Sequence, residues 1–258
     1  MKGSTMSSKL EIKALQKSYS QGNTCLRVLE AIDFTVGQGE FVCLLGSSGS
    51  GKSTLLRMIA GFETPDSGEI VLDGQPVTGP TAKRIMVFQD FNQLFPWKTV
   101  LENVVFPLKM KRIGASDRER RAMAAVYLAM VKLEGCEQCY PHQLSGGMKQ
   151  KAAIARALAL QPELLLMDEP FGSLDAQTRE VLQQTLVKVW QDTGVTIVFV
   201  THDIQEAVIL ADRIVILSKN NHRIREIVQN TLNRPRDPGD PLFPKMWQEV
   251  YGMLDATE

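Results

Sequence analysis

Four cysteines in 258 residues are too few and too scattered for a disulfide framework, and a chain of this length can bury a core without one. Charge of one sign is missing as well. The 29 Lys and Arg are matched by 29 Asp and Glu, which argues against a chain built to neutralise nucleic-acid phosphates or to cover anionic lipid. No nucleic-acid partner is expected. Long hydrophobic runs are also lacking: Leu164–Met167, Ile197–Val200 and Val208–Ala211 fall far short of a membrane span. The opening, Met1–Lys9, is polar and rich in Ser and Thr, without the apolar stretch of a signal peptide, so the chain is expected on the cytosolic side.

With 44% hydrophobic and 22% charged residues, what is present is the composition of an ordinary globule. Residues 1–9 read as a flexible N-terminus. Lys9–Lys17 and Val28–Val36 alternate like strands around a Gly/Asn turn at Gln21–Thr24, which suggests an antiparallel opening. Phe41–Leu45 is a short continuous apolar run of the buried-strand type, followed by a Gly/Ser loop and a helical stretch over Ser53–Ala60. Further short strands are expected at Glu69–Leu72, Ile85–Phe88, Leu164–Asp168, Val195–Thr201 and Ile214–Leu217. Between them, about residues 91–160 hold no strand candidate and read as helices over Thr99–Lys111, Ser116–Leu133 and Ser145–Leu160. The expected fold is α/β: a mainly parallel sheet, an N-terminal antiparallel β subdomain and an inserted α-helical subdomain, the whole domain spanning about 10–230. In the tail, 231–258, four prolines precede a helix whose one face carries Leu242, Phe243, Met246, Trp247, Val250, Tyr251 and Leu254. That face must dock on something.

Two local patterns carry chemistry. Gly46-Ser47-Ser48-Gly49-Ser50-Gly51-Lys52-Ser53 fits G-x-x-x-x-G-K-[ST] between a buried strand and a helix start, with Thr54 following. Its glycines let successive N–H groups point inward at phosphate oxygens, and the helix start adds positive potential to the same spot. Lys52 reaches the β- and γ-phosphates in such a cradle, and the Ser53 hydroxyl is a ligand for Mg²⁺. The pattern resembles the phosphate-binding loop (P-loop) of nucleoside triphosphatases. In Leu164–Glu169, four apolar residues run into two carboxylates, as at a parallel strand that ends at a nucleotide crevice. Asp168 is the natural metal partner and Glu169 is placed to activate water. Cys136 and Cys139 form a C-x-x-C with His142 nearby, but no second pair completes a structural zinc set, and no metal is expected there.

Leu144-Ser145-Gly146-Gly147-Met148 is a Ser-capped helix start with two glycines, a second anion grip in one chain. Here the sequence resembles the ATP-binding cassette (ABC) family over nearly its whole length, with a P-loop, RecA-like core. The resemblance implies ATP and Mg²⁺ as cofactors. It implies a homodimer in which Ser145, Gly146 and Gly147 of one copy close over the triphosphate held by the P-loop of the other. By position, Tyr19 resembles the aromatic that stacks on adenine and Gln89 the glutamine that meets Mg²⁺ and attacking water. Asp175, in Ser173-Leu174-Asp175, resembles the residue linking the two sites across the dimer, and His202 the histidine at the γ-phosphate. Met148, Lys149–Lys151 and Ser173 depart from the common pattern without removing a catalytic group.

Phe91–Asn103, Tyr140–His142 and Arg234–Arg236 are similar to the importer branch serving nitrate, sulfonate and taurine systems, with bicarbonate among the solutes left open. That resemblance implies a separate membrane permease docking near Gln89–Trp97, with Leu94, Phe95 and Trp97 offered to a short partner helix, or alternatively a turn folded onto its own helices. It further implies an extracytoplasmic solute-binding protein in the same system and a peripheral location on the cytoplasmic face of the inner membrane. The alternative is a soluble ABC ATPase not coupled to a permease. DNA-repair and translation relatives, however, carry long coils or tandem cassettes that this chain lacks.

Overall fold

The computed structural model describes residues 8–21 and 24–255. In chain order the strands are β1 (Ser8–Gln21), β2 (Thr24–Gly37), β3 (Phe41–Leu45), β4 (Ser67–Leu72), β5 (Gln75–Pro76), β6 (Arg84–Val87), β7 (Leu164–Asp168), β8 (Thr196–Thr201), β9 (Arg213–Leu217) and β10 (Ile224–Gln229). The helices are α1 (Lys52–Ala60), α2 (Val100–Met110), α3 (Asp117–Met130), α4 (Gly146–Leu158), α5 (Ala176–Thr193), α6 (Ile204–Leu210) and α7 (Phe243–Asp255). Two compact units result, one from the described residues through Thr81 together with those from Thr196 onward, the other from Ala82–Val195.

The first unit contains the antiparallel sheet, ordered β2-β1-β4-β5. The long β1–β2 hairpin is the expected opening; its turn residues Gly22 and Asn23 lie outside the described residues, as do Met1–Ser7 of the expected flexible start. Glu69–Leu72 forms a strand as expected, but it joins this antiparallel sheet through β1. The same unit holds β3 between two parallel neighbours, β8 and β9. All five residues of β3 and all six of β8 are buried, as a strand covered on both faces requires. β10, which sequence reading did not foresee, pairs antiparallel with β9 through a register shift between Ile224 and Glu226. That bulge breaks the alternation by which a strand is recognised.

The tail folds onto this unit. Arg234 donates to the carbonyl of Leu210 (2.6 Å) and to Asp212 Oδ1 (2.7 Å), and Arg236 to the carbonyl of Ala211 (2.6 Å). These cations satisfy acceptors left open where α6 ends. α7 then buries Phe243, Met246 and Val250 in packing against α6 and β10, so part of the apolar face found in the sequence docks within its own chain, while Leu242 and Tyr251 stay exposed.

In the second unit β6 and β7 pair in parallel, while α2, α3 and α4 pack on one another, which is the strand-free helical run expected from the sequence. Its helix starts are well marked. Thr99 and Glu102 form a reciprocal capping box on α2, and Ser116 caps α3, each closing orphan N–H groups. Leu94 is 4% exposed and belongs to the core, whereas Trp97 is 70% exposed. The segment expected to offer Leu94, Phe95 and Trp97 to a partner therefore keeps Leu94 for itself.

Candidate nucleotide site

The first unit supplies the phosphate loop. β3 ends at Leu45, and the chain turns through Gly49 (φ 84°) and Gly51 (φ 92°) before α1 begins. Side chains are excluded where the loop is tightest: a Cβ on Gly46 would lie 2.7 Å from the Leu217 carbonyl oxygen and from Ser50 Oγ, and one on Gly51 2.8 Å from the Val28 carbonyl oxygen. The positive φ of Gly51 adds a second reason for glycine there. Lys52 is 4% exposed, and its Nζ donates to the carbonyl oxygens of Gly46 (2.8 Å) and Ser47 (2.9 Å). Gly51, at the cap position of α1, provides no side-chain acceptor, so no side chain of the cap residue stands over the start of that helix, where the dipole favours an anion. Ser50 Oγ is buried with no hydrogen-bond partner. A buried ammonium, an uncapped helix start and an orphaned hydroxyl around a glycine turn fit a phosphate chain.

Tyr19 projects from β1 in the same unit. Its hydroxyl donates to the Glu63 carboxylate and is also hydrogen-bonded to the side chain of Thr54, which ties the ring to the first turn of α1. Burial, and then the Glu63 carboxylate, hold the phenol above its usual range. Leu26 faces Tyr19 across the β1–β2 ladder and is 55% exposed, so an aromatic and an aliphatic surface stand together in the open. His202 lies just beyond β8 on an exposed bend. The turn beneath it is fixed by buried Thr201, whose hydroxyl donates to Glu206 Oε2 (2.6 Å) and accepts from the Asp203 N–H (3.0 Å). Asp203 in turn caps α6 by accepting from the N–H groups of Gln205 and Glu206. None of these three supports stood out in the sequence, although Thr-x-Asp before a helix is a legible cap.

The second unit carries the carboxylates and the second glycine pair. β7 buries Leu164–Met167 and delivers Asp168 and Glu169 to a half-buried edge. Glu169 has φ 43°, a left-handed backbone costly for a residue with a side chain and typical of places where a group must be aimed. A Cβ on Gly172 would lie 3.5 Å from Gln89 Nε2 and 3.8 Å from Glu169 Oε2, so the structure brings Gln89 and Glu169 to one small space around that glycine. The loop bearing Gln89 is held by groups that sequence reading missed. Gln93 Nε2 donates to the carbonyls of Phe88 (3.0 Å) and Asp90 (3.1 Å); fully buried Gln150 of α4 donates to Phe88 (3.4 Å); and Arg156 holds the Gln93 carbonyl (2.8 Å). Asn103, buried in α2, accepts from the Phe95 N–H (2.8 Å) and donates to the carbonyls of Phe95, Lys98 and Thr99. A polar amide amid an apolar helical stripe was the available signal.

Ser145 caps α4 by accepting from the Met148 N–H (3.3 Å), with Gly146 and Gly147 in its first turn. A Cβ on Gly147 would stand 2.4 Å from Thr178 Cγ2, so this glycine also permits close approach of α4 to α5. Asp175 caps α5, accepting from the Thr178 N–H (2.9 Å). The backbone N–H and the hydroxyl of Thr178 hold its carboxyl below the usual range.

A phosphate cradle at the end of a parallel strand, with a second strand ending in adjacent carboxylates, defines a P-loop nucleoside triphosphatase. The comparisons narrow the class. The chain belongs to the ABC transporter family, whose family model matches residues 29–172. It is 49% identical over 260 residues to the nitrate import ATP-binding protein NrtD of Synechocystis sp., covering 96% of each chain. It is 42% identical over 253 residues to the aliphatic sulfonates import ATP-binding protein SsuB of Bacillus cereus, covering 96% of this chain and 98% of the relative. Among solved structures it resembles a dimeric ATP-binding cassette in a post-hydrolysis state bound to ADP and Pi, with TM-score 0.76, 37% identity and coverage of 87% of this chain and 100% of the other. The chain is an ABC-type ATPase.

Proposed function

We propose that this chain is the ATP-hydrolysing subunit of an importer for a small solute of the nitrate, sulfonate, taurine or bicarbonate type. It acts as a homodimer beneath a separate permease, on the cytoplasmic face of the inner membrane, and an extracytoplasmic binding protein delivers the solute. The observation that carries the catalytic half is the uncapped start of α1 beside buried Lys52. Near-full-length likeness to import ATP-binding proteins supports the transport half. The absence of any helix long and apolar enough to cross a membrane among the described residues is what a subunit working under a permease needs.

In this reading Gly46, Ser47, Ser48, Gly49, Ser50, Gly51 and Thr54 wrap the phosphates, Lys52 neutralises their charge, and Tyr19 stacks on the base. Ser145, Gly146 and Gly147 of the second copy close the site, and Asp175 links the copies. Ser53, Gln89 and Asp168 present the hard oxygen donors that suit Mg²⁺, which when bound neutralises charge on the phosphate oxygens. Glu169 draws a proton from water oriented by Gln89, and His202 donates to the γ-phosphate. The helical segment, about 91–160, serves as the arm that meets the permease, with Phe95 and Trp97 as its apolar contacts. ATP-driven closure of the dimer does work on the permease because the two nucleotide states favour different dimer arrangements.

The test is Glu169→Gln. Removing the base while keeping the side chain's shape should preserve ATP binding, abolish turnover and leave a stable dimer at saturating Mg-ATP, read by light scattering. A variant that binds ATP and stays monomeric would sink the shared-site mechanism.

A further inference from the structure

The loop between α3 and α4 holds a pair of thiols that the nucleotide chemistry does not use. Cys136 and Cys139 bracket a tight turn in which the Cys139 N–H donates to the Cys136 carbonyl (3.1 Å). Such a turn brings its end Cα atoms within about 7 Å, the span a disulfide bridges without backbone movement. The two side chains are hydrogen-bonded to one another, and both residues are part-exposed with their thiols free. Lys151 of α4 stands over the same loop, its Nζ donating to the Lys132 carbonyl (3.2 Å); burial first, and then the neighbouring Cys139 thiol, hold the Cys136 thiol above its usual range, against a smaller opposing pull from the Lys151 charge.

The surroundings say what the pair is not. Among the described residues no group of three or more His, Cys, Asp and Glu side chains converges as a metal set, and the His142 ring is stacked on Tyr140, centroids 5.8 Å apart. The turn is also anchored. The carbonyls of Cys139 and Glu137 accept from the Val100 (2.8 Å) and Leu101 (3.0 Å) N–H groups at the start of α2, and the chain then runs through Tyr140–Gln143 into the Ser145 cap. The turn that carries both thiols is thus held from the α2 side and the α4 side.

We propose that Cys136 and Cys139 are a modification site, a vicinal dithiol closed to an intrachain disulfide by thiol–disulfide exchange with a low-molecular-weight disulfide of the glutathione type. One cysteine thiolate attacks a sulfur of the oxidant and expels a glutathione thiolate. The other cysteine then attacks the mixed disulfide at the protein sulfur and expels the second. Two electrons pass from the protein dithiol to the oxidant, and the two thiol protons end on two reduced glutathiones. The closed bond fixes the link between the start of α2 and the Ser145-capped start of α4. This inference is independent of the transport reading.

The test uses the full chain carrying Cys25→Ser, since Cys25 is an exposed competing thiol, treated with excess glutathione disulfide, alkylated and weighed intact. The expected product has lost two hydrogens, carries no glutathione adduct, maps to Cys136–Cys139, and regains both alkylation sites with dithiothreitol. Cys139→Ser in the same background should instead stop at a stable glutathione adduct on Cys136, showing that the second thiol resolves the first. Two alkylatable thiols after treatment, stable adducts on the unsubstituted pair, or a disulfide between two chains on a non-reducing gel would each overturn the proposal.

Discussion

Two helix starts in this molecule are both rich in glycine, and they are built in opposite ways. α1 begins without a side-chain cap, on a glycine in a left-handed conformation, with a lysine folded into its own loop. α4 begins on a serine that closes the helix from within, and its glycines are ordinary helical residues, one of which makes room for Thr178. The first start carries no side-chain cap and has the buried Lys52 beside it, a combination that suits an anion. The second has met its nearest need already, so what it adds to an anion is dipole and close backbone approach. In the proposed shared site the first start holds the triphosphate and the second closes on it, so breaking each start in turn should have unequal consequences.

The largest effect is expected at α1. Lys52→Ala removes the buried ammonium and frees the carbonyls of Gly46 and Ser47. Loss of one preorganised charge donor costs about 10²–10³-fold in rate, so ATP turnover should fall at least a hundredfold, measured as phosphate release at saturating ATP. Stability should fall only modestly, by about 1–3 kcal/mol, for the carbonyls of Gly46 and Ser47 left without their donor. A variant that keeps a tenth or more of its activity would show that α1's start does not carry the phosphates.

At α4 the expected effect is on packing first. Gly147→Ala gains about 1 kcal/mol of helix propensity, but its Cβ would meet Thr178 Cγ2 at 2.4 Å, and the β-branched Thr178 has little freedom to move. Overpacking of this kind costs about 1–3 kcal/mol, so the net change should be a modest destabilisation, read as a lower urea midpoint. Thr178→Ser removes the offending methyl and keeps the hydroxyl. In that background Gly147→Ala should turn neutral or stabilising, and any remaining loss of ATPase would belong to the Ser145–Gly147 helix start itself rather than to packing.

The same contrast explains what could be seen in the sequence. The phosphate loop was legible because its demands are local: strand, glycine spacing, lysine and helix start lie within a dozen residues. The capped start at Ser145 was legible for the same reason. Gly147's second role was not, because Thr178 lies on another helix. Gln150 reaches the Gln89 loop from 62 residues away, while Gln93 and Asn103 act within eight residues of themselves but through irregular turns that no period marks; only a polar side chain on an apolar stripe hinted at them. Leu94 was read as offered to a partner because a Pro-containing aromatic turn looks the same whether its leucine faces in or out. β10 escaped because its bulge hides its period, and Glu69–Leu72 was seen as a strand while its partner, β1, could not be.

The smallest effect tests whether the helix that faces α4 depends on charge at its own start. Asp175 caps α5, and the Thr178 N–H and hydroxyl lower the pKa of its carboxyl in the folded chain. A depressed folded pKa means the stabilisation is present above the unfolded value, about 3.9, and is lost as pH falls through the folded one. The group is fully exposed, so the contribution is small and screened by salt. Asn caps a helix as well as Asp does and does not titrate in this range. Asp175→Asn should therefore keep the neutral-pH urea midpoint almost unchanged while flattening the acid limb between about pH 5 and pH 3. Equal slopes in the two proteins would place the acid sensitivity in other carboxylates, such as Glu30 between Arg27 and Arg223, whose folded pKa is likewise held down. A drop in the neutral-pH midpoint would instead mean that the cap needs the full negative charge, making α5 more dependent on its dipole partner than α4, whose start is closed by an uncharged serine.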